Sequence, residues 1–165
     1  MKSVVSTFLI VVSITVSQAQ TYDQDFQGKV VNVIDGNTFE VENENGDVIK
    51  LMLSEVDCPE IGQAMGDEAK AFTNDLILKK KVSIELKGKD WLGNKLAILT
   101  LRSGKVLHEE LIKSGLAWAS KKASSSVTTL EASAKNEKLG LWSENEPTPP
   151  WVYRRQQTML ESKSR

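Results

Sequence analysis

The chain has one cysteine, Cys58, so no disulfide can form within it and burial alone must hold the fold, even in an oxidising compartment. A lone thiol of this kind is most simply a small buried side chain. No cysteine lies near the N-terminus, which gives no indication of a lipid anchor there. Long hydrophobic runs are also missing. The stretch Val4 to Val16 is apolar for about 13 residues and is interrupted by Ser and Thr, whereas a membrane-spanning helix needs roughly 20 apolar residues. There is no excess of positive charge: 21 basic residues stand against 22 acidic ones, so any grip on a polyanion must come from a local patch. The single histidine, His108, has no Ser or Cys partner at the spacing of a nucleophilic pair, and is expected on the surface of a short helix. The chain has no internal repeat.

Residues 1 to 19 have the pattern of a signal peptide, with Lys2 as the positive end, the apolar stretch after it, and Ser17-Gln18-Ala19 as a small-x-small cleavage site. Cleavage after Ala19 would leave Gln20 first, with 20 basic and 22 acidic residues and a net charge of −2. A secreted or periplasmic protein with no stable membrane span is expected, and a monomer. Residues 20 to 27 form a short N-terminal extension.

From Gly28 the pattern turns regular. Gly28 to Ile34 is rich in Val and Ile and predicts a strand, broken by the turn residues Asp35-Gly36-Asn37. Thr38 to Glu42 alternates apolar and polar residues, Asn45-Gly46-Asp47 is a hairpin turn, and Val48 to Leu53 is the return strand. A long connection, Ser54 to Gly66, leads to a helix predicted over Asp67 to Leu78 with Ala69, Phe72 and Leu76 on one face. Lys79-Lys80-Lys81 follows its end, where cations favour the helix dipole; a phosphate-binding patch is the other reading. Two more strands are predicted, Val82 to Leu86 and Leu96 to Leu101, then a short helix over Val106 to Ser114. A Ser-rich loop leads to a last helix over Thr128 to Lys138, stopped near Gly140. Five short strands with a helix between the third and fourth fit an α+β OB-fold, a five-stranded Greek-key barrel, here with three helices and spanning residues 28 to 144. The Pro-rich stretch Glu146 to Pro150 then ends the compact domain, leaving residues 145 to 165 as a mobile or adhering basic tail.

Five segments, in order, resemble the staphylococcal nuclease-like (thermonuclease) family: VIDGNT at Val33 to Thr38, VDCPE at Val56 to Glu60, GDEAKAFT at Gly66 to Thr73, GKVLHEELIKSGLA at Gly104 to Ala117, and LEASAKNEKLGLWSE at Leu130 to Glu144. The resemblance implies an OB-fold domain and a phosphodiesterase site built from one calcium ion held by two aspartates, a glutamate acting as general base, and two arginines clamping the phosphate.

Position by position, the resemblance places Asp57 as one metal aspartate and Glu60 as the general base, with the backbone carbonyl of Cys58 as a further candidate oxygen. The second metal aspartate is replaced by Asn37, which keeps a neutral carbonyl but removes a negative charge, so calcium affinity is expected to fall by about one to two orders of magnitude. The two arginine positions hold Met52 and Asn94, neither of which can give a phosphate a bidentate, permanently charged contact. One oxyanion donor is worth about 10² to 10³ in rate and a phosphoryl-clamping arginine about 10³ to 10⁵. Losing both arginines is therefore expected to remove at least about four orders of magnitude, even with strong non-additivity.

Lys50 shares a strand face with Met52, and Lys95 adjoins Asn94, so both are candidate ligand-binding cations, although a point charge replaces a guanidinium fork poorly. The family's nucleotide-packing tyrosines are replaced by Leu92 and the run Ser120 to Ser126, while Trp91 and Trp118 are expected in the core or a lid. The expectation is a thermonuclease-like protein with catalysis lost or severely impaired, binding nucleic acid, a phosphorylated ligand or a protein partner. The alternatives are an active calcium-dependent nuclease and an envelope protein whose Pro147 to Arg165 segment mediates an interaction.

Overall fold

A computed structural model describes residues 25–163, so the expected signal peptide and most of the N-terminal extension lie outside the described residues. Five strands close into a barrel: β1 (Phe26–Val33), β2 (Thr38–Asn43), β3 (Val48–Leu53), β5 (Lys81–Lys89) and β6 (Lys95–Leu101), in the spatial order β1-β2-β3-β6-β5. The strands β4 (Val56–Asp57) and β7 (Trp118–Ala119) form a separate two-stranded ladder. The helices are α1 (Gly66–Ile77), α2 (Leu107–Lys113), α3 (Ser125–Asn136) and α4 (Pro150–Lys163), with a 3₁₀ turn at Gly140–Ser143. This is the OB-fold read from the sequence, with four helices in place of three.

Strand alternation sets the barrel interior. Val30, Val33, Phe39, Val41, Leu51, Leu53, Ile84 and Leu99 point inward and are buried, whereas Lys29, Lys50 and Glu85 between them face solvent. The β2–β3 hairpin is closed by Asn43, whose side-chain oxygen accepts hydrogen bonds from the backbone N–H groups of Asn45 and Asp47, both at 2.9 Å. β3 then pairs in parallel with β6 through Met52 and Leu96 and through Leu53 and Ala97, completing the Greek-key closure. Helix α1 buries Ala69, Thr73 and Ile77, a stripe at four-residue spacing, and Phe72 and Leu76 pack only partly against the core. The expected Ala69–Phe72–Leu76 face is thus rotated. The reason is that the hydroxyl of Thr73, a polar residue by composition, is used inside by donating to the Gly36 carbonyl at 2.7 Å.

Four further expectations are corrected. The Ser-rich run is not a loop throughout, because α3 begins at Ser125 and the Ser124 hydroxyl and N–H both bond Glu55. His108 is buried at 4% exposure rather than on the surface, since it lies on the first turn of α2 beside buried Leu107 and Leu111. Trp91 is 90% exposed at the β5–β6 turn, neither core nor lid, whereas Trp118 is 5% exposed and does belong to the interior. The segment expected as a mobile or adhering tail contains α4, with Pro150 buried at its first position, where a missing N–H costs nothing. Among the described residues, no helix is long and apolar enough to cross a membrane.

Candidate functional site

The barrel brings three separated sequence segments to one end. The turn Asp35-Gly36-Asn37 is fixed by the Asp35 carboxylate, which accepts the Asn37 N–H at 2.9 Å, and by the Asn37 carbonyl, which accepts the Leu53 N–H at 2.8 Å. Gly36 is required because a Cβ there would meet the Cβ of Cys58 at 2.7 Å and that of Ala69 at 2.9 Å. The turn therefore lies directly against the VDCPE segment. In that segment Val56 and Asp57 form β4, and Asp57 pairs with Trp118 of β7. Glu60 follows, its N–H donating to the Gln63 side-chain oxygen at 3.0 Å. Its carbonyl packs so closely on Gly66 that no side chain fits at that residue.

Asn37 and Cys58 are buried at this end, while Asp57 and Glu60 are half-buried. Burial pushes the Cys58 thiol well above its ordinary pKa, and Asp35, Asp57 and Glu60 add to the effect, so it stays protonated and unreactive at neutral pH.

The residues at the two arginine positions also come together. Lys50, Met52, Asn94 and Lys95 line one open groove of about 400 Å³ along β3 and the β5–β6 turn. Lys50 and Met52 do share a strand face, as alternation requires. Asn94 is committed within its turn: its side-chain amide donates to the Asp90 carboxylate at 2.8 Å, and its N–H donates to the same group at 2.8 Å. Those bonds hold the Asp90 carboxyl below its usual pKa and leave Asn94 as a turn-builder. Lys80 does what a cation at a helix end does, its ammonium donating to the Asp75 carbonyl at 2.9 Å.

The residue that sequence reasoning missed is Arg154. Its guanidinium straddles the carboxylate pair, with Nη2 to Asp57 Oδ2 at 2.7 Å, Nη1 to Asp57 Oδ1 at 3.1 Å, and Nη1 to Glu60 Oε1 at 2.6 Å. Hydrogen bonding to Asp57 raises the guanidinium pKa above its already high ordinary value, with Glu60 adding and partial burial opposing. Arg154 comes from α4, 97 residues away from Asp57 in sequence. The first turn of α4 is anchored by Trp151, edge-on to Trp118 at 6.5 Å between ring centroids, and Trp118 is the strand partner of Asp57. Trp142 packs on the other side of Trp118 at 5.4 Å. Three residues after Trp151, on the same helix face, Arg154 is thereby delivered to Asp57. The Gln63 amide donates to the Thr148 carbonyl at 2.5 Å, and the Tyr153 hydroxyl donates to the Gly62 carbonyl at 3.3 Å, pinning the same turn. The sequence did carry a signal: Pro150 followed by Trp151, Val152 and Tyr153 is a helix start with an apolar anchor.

The family resemblance implies calcium, a hard cation that takes six to eight oxygen ligands. The arrangement of side chains does not fit it as it stands. Both oxygens of Asp57 and one of Glu60 already accept from Arg154, Asn37 is neutral, and among the described residues no group of three or more His, Cys, Asp or Glu side chains is placed to hold a metal.

Comparison with known proteins agrees with the fold and with the order of these segments. Residues 50–144 match the model of the family described as staphylococcal nuclease homologue. The chain is 35% identical over 131 residues to an uncharacterised endonuclease of Haemophilus influenzae, covering 78% of this chain and 73% of that protein. It is 32% identical over 143 residues to a micrococcal nuclease of Shigella flexneri, covering 79% and 82% respectively. An uncharacterised endonuclease of Escherichia coli O157:H7 is 29% identical over 132 residues, covering 79% and 86%. With a closed five-stranded barrel, matching segments in matching order and relatives of this kind, the chain is a nuclease-like domain that belongs to the staphylococcal nuclease homologue family.

Proposed function

We propose that the protein is exported, with residues 1 to 19 removed, and binds nucleic acid or another phosphorylated ligand at the barrel end that holds Asn37, Asp57 and Glu60, with phosphodiester turnover lost or severely reduced. The observation that carries this reading is the groove at Met52 and Asn94. A phosphorus centre gathering negative charge needs rigid donors aimed at its oxygens. Met52 offers none, and the Asn94 amide is spent on Asp90. Lys50 and Lys95 line the same groove and supply charge suited to holding a phosphate loosely rather than clamping a transition state. The guanidinium that is present faces carboxylates, not the groove: Arg154 is bound on Asp57 and Glu60.

A second reading has its own support. Arg154 is a guanidinium beside the pair that would serve as metal ligand and base, and the relatives described above carry nuclease names. On that reading the protein is a calcium-dependent nuclease whose cationic group comes from α4. Incubating the mature protein with single- and double-stranded DNA and with RNA, in calcium and in chelator, separates the two. Retention of a labelled oligonucleotide without cleavage supports the first reading. Calcium-dependent digestion at a rate within about tenfold of an intact family nuclease would establish the second.

A further inference from the structure

Arg154 is an intramolecular cation seated on the oxygens that a divalent ion would need. We propose that α4 is a latch on this site: Arg154 and a divalent cation are mutually exclusive occupants of the Asp57 carboxylate, so docking of α4 keeps the carboxylate pair closed and its release opens it. This rests on reading Asp57 and Glu60 as the functional pair.

The geometry favours competition over coexistence. A bidentate fork uses one lone pair on each Asp57 oxygen and a third contact takes Glu60, so an ion approaching the pair meets a fixed positive charge within bonding distance of both. The pair is not neutralised either. One guanidinium against two carboxylates leaves a net charge of −1, which still draws cations toward the latch.

The element carrying the arginine is built to move. Its hold on the barrel is confined to its first turn and the residues just before it, at Thr148, Pro150, Trp151 and Tyr153, with Arg154 itself. From Arg155 to Lys163 every side chain is exposed. A helix with so few buried contacts opens at a small fraction of the global unfolding free energy. By contrast Asp57 is held by the β4–β7 ladder and Glu60 by Gln63 and Gly66, so the pair stays in place when α4 leaves. Nearly half of the Arg154 side chain is exposed, so the ion pair is screened and a divalent ion has a route to it.

The test is calcium titration of the mature protein by calorimetry at fixed ionic strength, comparing wild type with Arg154→Ala, Arg154→Lys and Trp151→Ala. Calcium affinity is expected to rise at least about tenfold in Arg154→Ala, to rise less in Arg154→Lys, which keeps a charge without the fork, and to rise in Trp151→Ala, which loosens α4 without touching the carboxylates. Circular dichroism of each variant checks that the barrel is intact; should Arg154→Ala unfold, Arg154→Lys and Trp151→Ala decide between latch and no latch. Unchanged or weaker calcium binding in the folded variants, or none in any of them, would overturn the latch. Cleavage of nucleic acid by the wild type would overturn the reading of impaired turnover above without altering this comparison, because calcium binding is read independently of turnover.

Discussion

The barrel and α4 each contribute half of the charge at one site, and they are secured very differently. The barrel fixes Asp57 and Glu60 through strand pairing, a buried turn and close backbone packing around Gly36 and Gly66. Helix α4 brings Arg154 to the same oxygens on a single docked turn. The difference teaches that the negative half of the site belongs to the fold, whereas the positive half is carried on a removable element. In the groove beside them, where the family resemblance places two arginines on the barrel itself, Met52 and Asn94 stand instead. A guanidinium is therefore absent from the rigid part of the site and present on the part that can leave.

Substitutions can break this contrast, and the largest effect is expected in the barrel. Phe39 is fully buried among the inward strand residues, so Phe39→Ala should destabilise the whole domain by about 3 to 5 kcal/mol in chemical denaturation, with the transitions of barrel and α4 probes moving together. Trp151→Ala should act locally. A loss of about 1 kcal/mol or less in global stability is expected, with faster amide exchange confined to α4, because the aromatic contact with Trp118 holds that helix and not the barrel. Global destabilisation comparable to that of Phe39→Ala would show α4 to be part of the cooperative core and would erase the contrast.

A smaller effect concerns pH and belongs to the barrel side alone. His108 is buried with its Nδ1 unpartnered, and burial lowers its pKa below the usual histidine value, against the pull of Glu55 and Glu109 and with Lys113 assisting. The unfolded chain then takes up a proton at a pH where the folded protein does not. Stability contributed by the neutral form is complete above about pH 6.5 and declines as pH falls through the unfolded value toward the lower folded one. The midpoint of urea denaturation should drop between pH 7 and pH 5, and His108→Leu should flatten that part of the profile. A profile unchanged by the substitution would assign the pH dependence to other groups.

The barrel was legible in the sequence because its signals are local. Alternation in Thr38 to Glu42, the Asn-Gly-Asp turn and the punctuating Asp35-Gly36-Asn37 each fix structure within a few residues, and Val48 to Leu53 is a strand over the stretch expected. The helix faces were less legible where a polar residue is used inside, as Thr73 shows, or where a histidine is buried without a partner at Nδ1. The candidate site divides the same way. Met52 and Asn94 lie along one groove as strand alternation and the turn position require. Arg154 was missed because its position depends on a contact between Trp151 and Trp118, which no periodicity encodes, and because a proline cluster read as the end of the domain is the start of a helix.

On the proposed reading, catalysis is limited by what the barrel lacks at positions 37, 52 and 94. The direct measurement compares cleavage of a labelled DNA duplex in calcium by the mature wild-type protein and by Asn37→Asp/Met52→Arg/Asn94→Arg. Restoring a metal carboxylate and two clamping guanidinium groups should raise the rate by about four orders of magnitude from a wild type near background. A wild type that already cleaves efficiently, or a folded triple variant that remains as inert as its parent, would contradict it.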